Sequence, residues 1–193
     1  MMSSQRPDQA YAGTTDTSLH GVFMDIFDQG VLLIGASGSG KSDLALELIS
    51  RGHRLIADDA PEFRRHEPDN IEGSCPLEMS GFLAVRNLGI LNVRRLFGDT
   101  AVSRSSQLSL IINLQPTIEM GKDDGDCLAG ARRYYCLLGV PIPQIDLAVL
   151  PGRHLALLVE CAVRDLQLRI KGYYAHQDFS ERLQQRMNAL SCE

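Results

Sequence analysis

An α/β fold wrapped around a single phosphate-binding loop is what the sequence predicts, and three features predict it. An apolar run, Val31 to Ile34, leads straight into GASGSGKS at Gly35 to Ser42. A helical pattern over Lys41 to Ser50 follows at once, with Leu44, Ala45, Leu48 and Ile49 on one face. Further apolar strand-like runs are then closed by two longer amphipathic patterns, which predict two C-terminal helices. Strand, glycine loop and helix in that order fill the G-x-x-x-x-G-K-[ST] pattern, whose glycines take backbone angles closed to other residues and bring N–H groups against an anion.

Taken in order, residues 1–17 are polar and aperiodic and read as a flexible tail, with 18–193 as one domain. Leu19 to Phe27 alternates as a strand, and Asp28-Gln29-Gly30 is a turn into Val31 to Ile34, so a hairpin delivers the loop. Gly52 ends the first helix, and Leu55 to Asp59 is a short buried strand running into two carboxylates. Pro61 to Pro76 shows charge, proline and glycine without a period and reads as a mobile loop. Leu77 to Leu83 predicts a short helix, Ala84 to Val93 a strand and turn, and Gln107 to Leu114 a buried strand. Gln115 to Asp126, with Glu119, Asp123, Asp124 and Asp126, reads as an acidic solvated loop rather than a calcium site, whose ligands need tighter spacing. Ile142 to Leu150 is a strand. Leu155 to Ile170 is a helix closed by Gly172, and Asp178 with Glu181 suggests a capping box for a last helix carrying Phe179, Leu183, Met187 and Leu190.

Composition narrows the function. A net charge of −5 gives no basic field for a nucleic-acid backbone. No apolar run reaches the length of a membrane span, and MMSSQRPDQA lacks the apolar centre of a signal peptide, so a cytoplasmic protein without a membrane partner is expected. Five scattered cysteines, Cys75, Cys127, Cys136, Cys161 and Cys192, without a C-x-x-C pair, point to reduced thiols.

The loop Gly35, Ala36, Ser37, Gly38, Ser39, Gly40, Lys41, Ser42 fixes a ligand class and leaves the reaction open. Lys41 offers a charge to the β and γ oxygens of a nucleotide and Ser42 a hydroxyl to magnesium. Phosphoryl transfer also needs a carboxylate at the attacking oxygen. Asp58 and Asp59 end the strand after the first helix, where such sheets face their ligand crevice. Adjacent strand residues point to opposite faces, so one can face metal or substrate while the other orients a neighbour. His20 lies on the hairpin partner strand, and Arg153 precedes a helix, where it could stabilise phosphoryl charge. These residues alone describe an ATP- or GTP-binding protein, with a kinase among the choices.

Taken together, the segments resemble the catalytic domain of the HPr kinase/phosphorylase family. The matching stretches are LHGV at Leu19 to Val22, GASGSGKSDLALELISRGHRLIADD at Gly35 to Asp59, VRNLGILNV with LFG at Leu96 to Gly98, LLGVPIPQIDLAVLPGR at Leu137 to Arg153, and Lys171-Gly172-Tyr173. The resemblance implies a core related to phosphoenolpyruvate carboxykinase, a hexamer, ATP and magnesium, and HPr as a seryl phosphoacceptor. It implies Lys41 at the terminal phosphates, Ser42 and Asp58 toward magnesium, Asp58 or Asp59 as base, His20 supporting that aspartate, and Arg153 in a loop tied to dephosphorylation by inorganic phosphate. Longer members carry an additional N-terminal domain, so this chain is similar to the shortened form.

Two motifs depart from the family pattern. Where the family writes EIRGLGI, Ala84 to Ile90 reads AVRNLGI, placing an alanine at an expected metal-ligating glutamate and Asn87 at a glycine. Where it writes PVRPGRN, Ala148 to His154 reads AVLPGRH. A nucleotide-binding regulatory module without transferase activity, or a kinase for another hydroxylated substrate, are the competing expectations.

Overall fold

The computed structural model describes residues 16–66, 69–116, 130 and 132–190. Within them the chain runs β1 (Asp16–Ser18), β2 (Val22–Ile26), β3 (Gln29–Gly35), α1 (Lys41–Ser50), β4 (Arg54–Ala57), β5 (Glu62–His66), β6 (Asn70–Ser74), β7 (Phe82–Val85), β8 (Gly89–Asn92), α2 (Val93–Phe97), β9 (Ser105–Gln115), β10 (Arg133–Leu137), β11 (Val140–Ala148), α3 (Leu155–Ile170) and α4 (Ala175–Leu190). The result is a mixed α/β fold: a curled sheet in the order β1-β5-β6-β9-β3-β2-β4, with β10 and β11 branching from β9, and a separate β7–β8 hairpin.

Strand β9 is where the sheet divides. Its residues 105–107 pair antiparallel with β6, residues 111–115 pair parallel with β11, and β3 runs parallel along 108–114. Alternation along these strands explains the continuous apolar runs, because both faces are covered. Val31, Leu33, Leu110, Ile112 and Leu114 pack with Leu44, Leu48, Val159 and Val163 of α1 and α3. Phe23, Leu32 and Ile111 face the other way, onto Phe63, Ile71, Leu137 and Ile142 of the curled strands.

Several sequence expectations change. Pro61 to Pro76 holds the β5–β6 hairpin, in which Phe63, Ile71 and Gly73 alternate inward among charged residues facing out. Gly73 is required there: a Cβ would stand 2.4 Å from Phe23 Cε1 and 2.7 Å from Phe63 Cε1, inside an edge-to-face ring pair 5.2 Å apart. Leu77 to Leu83 is helical only as a 3₁₀ turn at Leu77–Met79 before β7 begins. The strand and turn predicted over Ala84 to Val93 take in the end of β7, the turn at 86–88 and a second strand, β8, with Val93 opening α2. Strand β10 and the short α2 were not anticipated. Helix α4 starts at Ala175, so Asp178 lies inside it and accepts from Arg182 Nε at 2.6 Å and Tyr173 Oη at 2.8 Å in place of capping it. Asp16 and Thr17, assigned to the tail, pair with Arg64 and Phe63 of β5. Residues 1–15 and the acidic stretch from 117 to 126 lie outside the described residues.

The hairpin turn also moves by one residue. Ile26 pairs with Gln29, leaving Phe27 and Asp28 as a two-residue turn with φ of 52° and 60°. Two left-handed residues suit the twist of a hairpin, but phenylalanine resists that conformation. Its ring is held between His53, 4.7 Å away, and the Arg164 guanidinium, 4.2 Å away, and its carbonyl accepts from Gln167 Nε2 at 2.9 Å.

Below this turn, buried Glu160 of α3 accepts from Arg51 Nε at 2.9 Å and Nη2 at 2.5 Å and from His53 Nε2 at 3.0 Å, tying α3 to the end of α1. The Arg51 bonds, opposed by burial and aided by His53, pull the Glu160 carboxyl down to about 2. A carboxyl depressed in the folded state adds stability above its unfolded value and loses it as pH falls from about 4.5 toward about 2. Glu160→Gln is therefore expected to lose on the order of 3 kcal/mol at neutral pH and to flatten the acid limb of stability between pH 5 and 2, read by urea denaturation across pH. An unchanged acid limb contradicts the assignment. Gly73→Ala, which drives a methyl into the Phe23–Phe63 pair, is expected to cost about 1–3 kcal/mol in the same measurement.

Candidate active site

Strand directions bring the candidate residues to one edge. Strands β3, β9 and β11 are mutually parallel, and β4 runs with them because both β3 and β4 pair antiparallel with β2. Their carboxyl ends therefore release Gly35, Gln115, Ala148 and Asp58 at one edge, where β2 also enters just after His20. Ligands of open α/β sheets bind outside such ends.

Gly35 to Ser42 forms the loop between β3 and α1 as the sequence predicts. At Gly35 a Cβ would stand 2.6 Å from the Leu114 carbonyl oxygen and 2.9 Å from Ser39 Oγ, so the loop leaves the sheet through a gap fitting only glycine. Gly38 and Gly40 have φ of 78° and 90°. Gly40 is the N-cap of α1, and no side chain caps the amides of its first turn. The space a Cβ would take at Gly40 is open to 4 Å. Lys41, 9% exposed, donates from Nζ to the carbonyls of Gly35 at 2.9 Å and Ala36 at 3.1 Å, which bends its amine back across the loop. Ser42 is half-buried in the same turn, and the buried Ser39 hydroxyl has no hydrogen-bond partner.

The β7–β8 hairpin forms the facing wall. Leu83 and Val85 are buried in the core, so Ala84 projects from the opposite face. A cleft of about 430 Å³ lies between the walls, lined by Ser37, Gly38, Gly40, Lys41, Ser42, Asp43, Ala84 and Arg86. Its size is within the roughly 300–1,000 Å³ of ligand sites.

Asp58 and Asp59 diverge here, though not as alternating strand residues, since β4 ends at Ala57 and Asp59 is left-handed with φ of 69°. Asp58 Oδ2 accepts from the Ala84 amide at 2.7 Å. Burial pushes its carboxyl above the ordinary range, with the Ala84 N–H pulling the other way and the charge of Asp59 adding to the rise. Asp59 Oδ1 is 2.7 Å from His20 Nδ1, in a pair that stays 69% and 62% exposed. Arg153 stands past the end of β11 and donates from Nη1 to the Ala148 carbonyl at 3.3 Å. It makes no hydrogen bond or ion pair with the other predicted residues among those described. Asp43 and Arg86 were not singled out by the sequence. Arg86 could have been found by noting that it falls two residues after Ala84, in the turn that continues the outward phase of β7.

The family model for the HPr Serine kinase C-terminal domain matches residues 12–183. An HPr kinase/phosphorylase of Xylella fastidiosa (strain M12) is 51% identical over 156 residues, 80% of this chain and 49% of that protein. One of Stenotrophomonas maltophilia (strain K279a) is 52% identical over 155 residues, with the same shares of 80% and 49%. The chain thus spans about half the length of the curated relatives it matches. Among solved structures, the HPr(Ser) kinase/phosphatase from Coxiella burnetii superposes with a TM-score of 0.76 at 36% identity, covering 84% of this chain and 98% of that one. Since the matched span runs from β1 through α3 and into α4 and holds the glycine loop, His20 and both aspartates, the chain belongs to the HPr serine kinase C-terminal domain family.

Proposed function

We propose that the chain transfers the terminal phosphoryl group of ATP to a seryl hydroxyl of HPr or an HPr-like phosphocarrier protein. The observation that carries this reading is the His20–Asp59 pair standing next to Asp58 at the sheet edge that also releases the phosphate loop. Kinship of the core with phosphoenolpyruvate carboxykinase, assembly as a hexamer and a cytoplasmic location are part of the same proposal. None of the described helices is long and apolar enough to cross a membrane.

The uncapped first turn of α1 and the open space at Gly40 suit a phosphate chain. The Ser42 hydroxyl and the Asp58 carboxylate are hard oxygen donors fitting a magnesium ion, and a cation relieves the unfavourable burial of Asp58. When bound, magnesium neutralises charge on the β and γ phosphates. Lys41, released from the Gly35 and Ala36 carbonyls or shared with them, reaches the terminal phosphates. Asp59 is the exposed carboxylate and takes the proton of the seryl hydroxyl, with His20 fixing its orientation. The seryl oxygen forms a bond to the γ phosphorus as the β–γ bridge breaks and ADP leaves. In the reverse direction inorganic phosphate attacks phosphoserine, pyrophosphate leaves, and Asp59 returns the proton to the seryl oxygen. Arg153 is proposed for that direction.

Ala84 favours a second reading, a nucleotide-binding regulatory module with negligible transfer, because its methyl faces the cleft without a donor for metal. Incubation with HPr, ATP and magnesium, followed by intact mass, separates the two. The kinase reading expects phosphoserine on HPr, and Asp59→Asn is expected to slow its formation roughly 10²–10⁴-fold. ATP binding without transfer at any magnesium concentration, with activity appearing in Ala84→Glu, establishes the regulatory module instead.

A further inference from the structure

We infer that Arg86 is a phosphate-binding residue of the nucleotide cleft, and that it makes nucleotide binding by this chain largely independent of a divalent ion. The inference rests on the proposed nucleotide site and deepens it. Arg86 opens the three-residue turn of the β7–β8 hairpin, a turn closed by the Leu88 amide donating to the Val85 carbonyl at 3.1 Å and by left-handed Asn87 and Gly89, with φ of 68° and 82°. The hairpin is a firm platform. Leu83 and Val85 are buried against the α1 side of the core, Ala84 N–H is bonded to Asp58, and Val93 N–H donates to the Gly81 carbonyl at 2.8 Å.

From that platform the guanidinium reaches the crown of the glycine loop. Arg86 Nη1 lies 3.6 Å from where a Cβ of Gly38 would stand. Among the described residues nothing forms an ion pair or hydrogen bond with it, although Asp43 lines the same cleft. Arg86 is exposed at the cleft, its planar fork matches the geometry of a phosphate, and it is held in van der Waals reach of a loop built to wrap phosphates. Lys41 on one wall and Arg86 on the other therefore bracket the place where terminal phosphates lie. Ala84, two residues earlier on the same side of the hairpin, leaves Arg86 unneutralised and offers no oxygen to a metal. Charge that a metal would balance as the nucleotide binds is balanced here by a side chain, and the ion that Ser42 and Asp58 fit is left to the transfer step.

The test is ATP binding by calorimetry, in excess magnesium and in EDTA, for the full chain and for Arg86→Ala, Arg86→Lys and Ala84→Glu. The wild type is expected to keep its ATP affinity in EDTA within about tenfold of that in magnesium. Arg86→Ala is expected to weaken binding in EDTA about tenfold or more, as loss of charge-assisted bonds predicts, with Arg86→Lys in between. Ala84→Glu is expected to bind poorly in EDTA and to be rescued by magnesium, because its carboxylate competes for Arg86 and can hold the ion. This variant reports independently if Arg86→Ala melts early. Equal affinity of wild type and Arg86→Ala in EDTA, or wild-type binding abolished by EDTA, overturns the inference while leaving the nucleotide site intact. No ATP binding by the wild type in either condition overturns the functional reading and the inference together.

Discussion

Strand β3 is held on both edges by hydrogen bonds and on both faces by apolar side chains, and the position of the phosphate loop depends on that enclosure. Its edges pair with β2 and β9, and Val31, Leu32 and Leu33 are fully buried on alternating sides. Each such side chain contributes roughly 1.5–3 kcal/mol by leaving water, and a one-residue slip would turn every one of them to the wrong face. The register therefore fixes Gly35 opposite Leu114, and the close approach of the Leu114 carbonyl fixes where the chain leaves the sheet. Lys41 then bonds back to Gly35 and Ala36, so the loop is braced from its far end as well.

The two ends of helix α1 differ in their physics. At its start the chain leaves backbone donors without side-chain caps, a local deficit that a bound anion removes. At its end Arg51 and His53 converge on Glu160, and Phe27 is clamped above them in a conformation it would not choose alone. The strained turn and the ionic cluster lie at the opposite end of the sheet from the loop. Rigidity concentrated there lets the loop end remain open without loosening the helix that carries Lys41 and Ser42.

The parts of this arrangement that were legible in sequence are those where local pattern and tertiary burial agree. GASGSGKS and the α1 face lie as read, and the Leu155 to Ile170 helix forms over its full length, but its buried face is rotated onto Ala156, Val159, Glu160, Val163 and Leu166 and leaves Ile170 exposed. The β5–β6 hairpin was hidden because only Phe63, Ile71 and Gly73 point inward, and the outward positions are charged. The hairpin turn was misplaced by a residue because Asp28-Gln29-Gly30 has turn chemistry, whereas Phe27 is left-handed only through contacts with His53 and Arg164, distant in sequence. At the site, the motif gave the loop residues, but the link from Asp58 to the Ala84 amide joins positions 26 apart through the backbone, which no side-chain pattern encodes.

The two departures within AVRNLGI differ in physical kind. Asn87 occupies a left-handed position, φ 68°, which asparagine tolerates better than most residues other than glycine, so the turn keeps its shape. Ala84 changes nothing in the backbone, which still pairs with Ile90 and still donates to Asp58, and alters only what the hairpin presents to the cleft. The AVLPGRH loop follows the same rule: Gly152 keeps its φ of 79° and Arg153 N–H closes onto Leu150, while Leu150 itself is an exposed apolar side chain where the family pattern has a base. Both loops thus keep their path, Asn87 taking the left-handed position of a glycine, and exchange residues that set their charge. Ala84 and Leu150 are apolar where the pattern has a carboxylate and a cation, so each loop presents one formal charge fewer, and Arg86 remains as the cation of the hairpin wall.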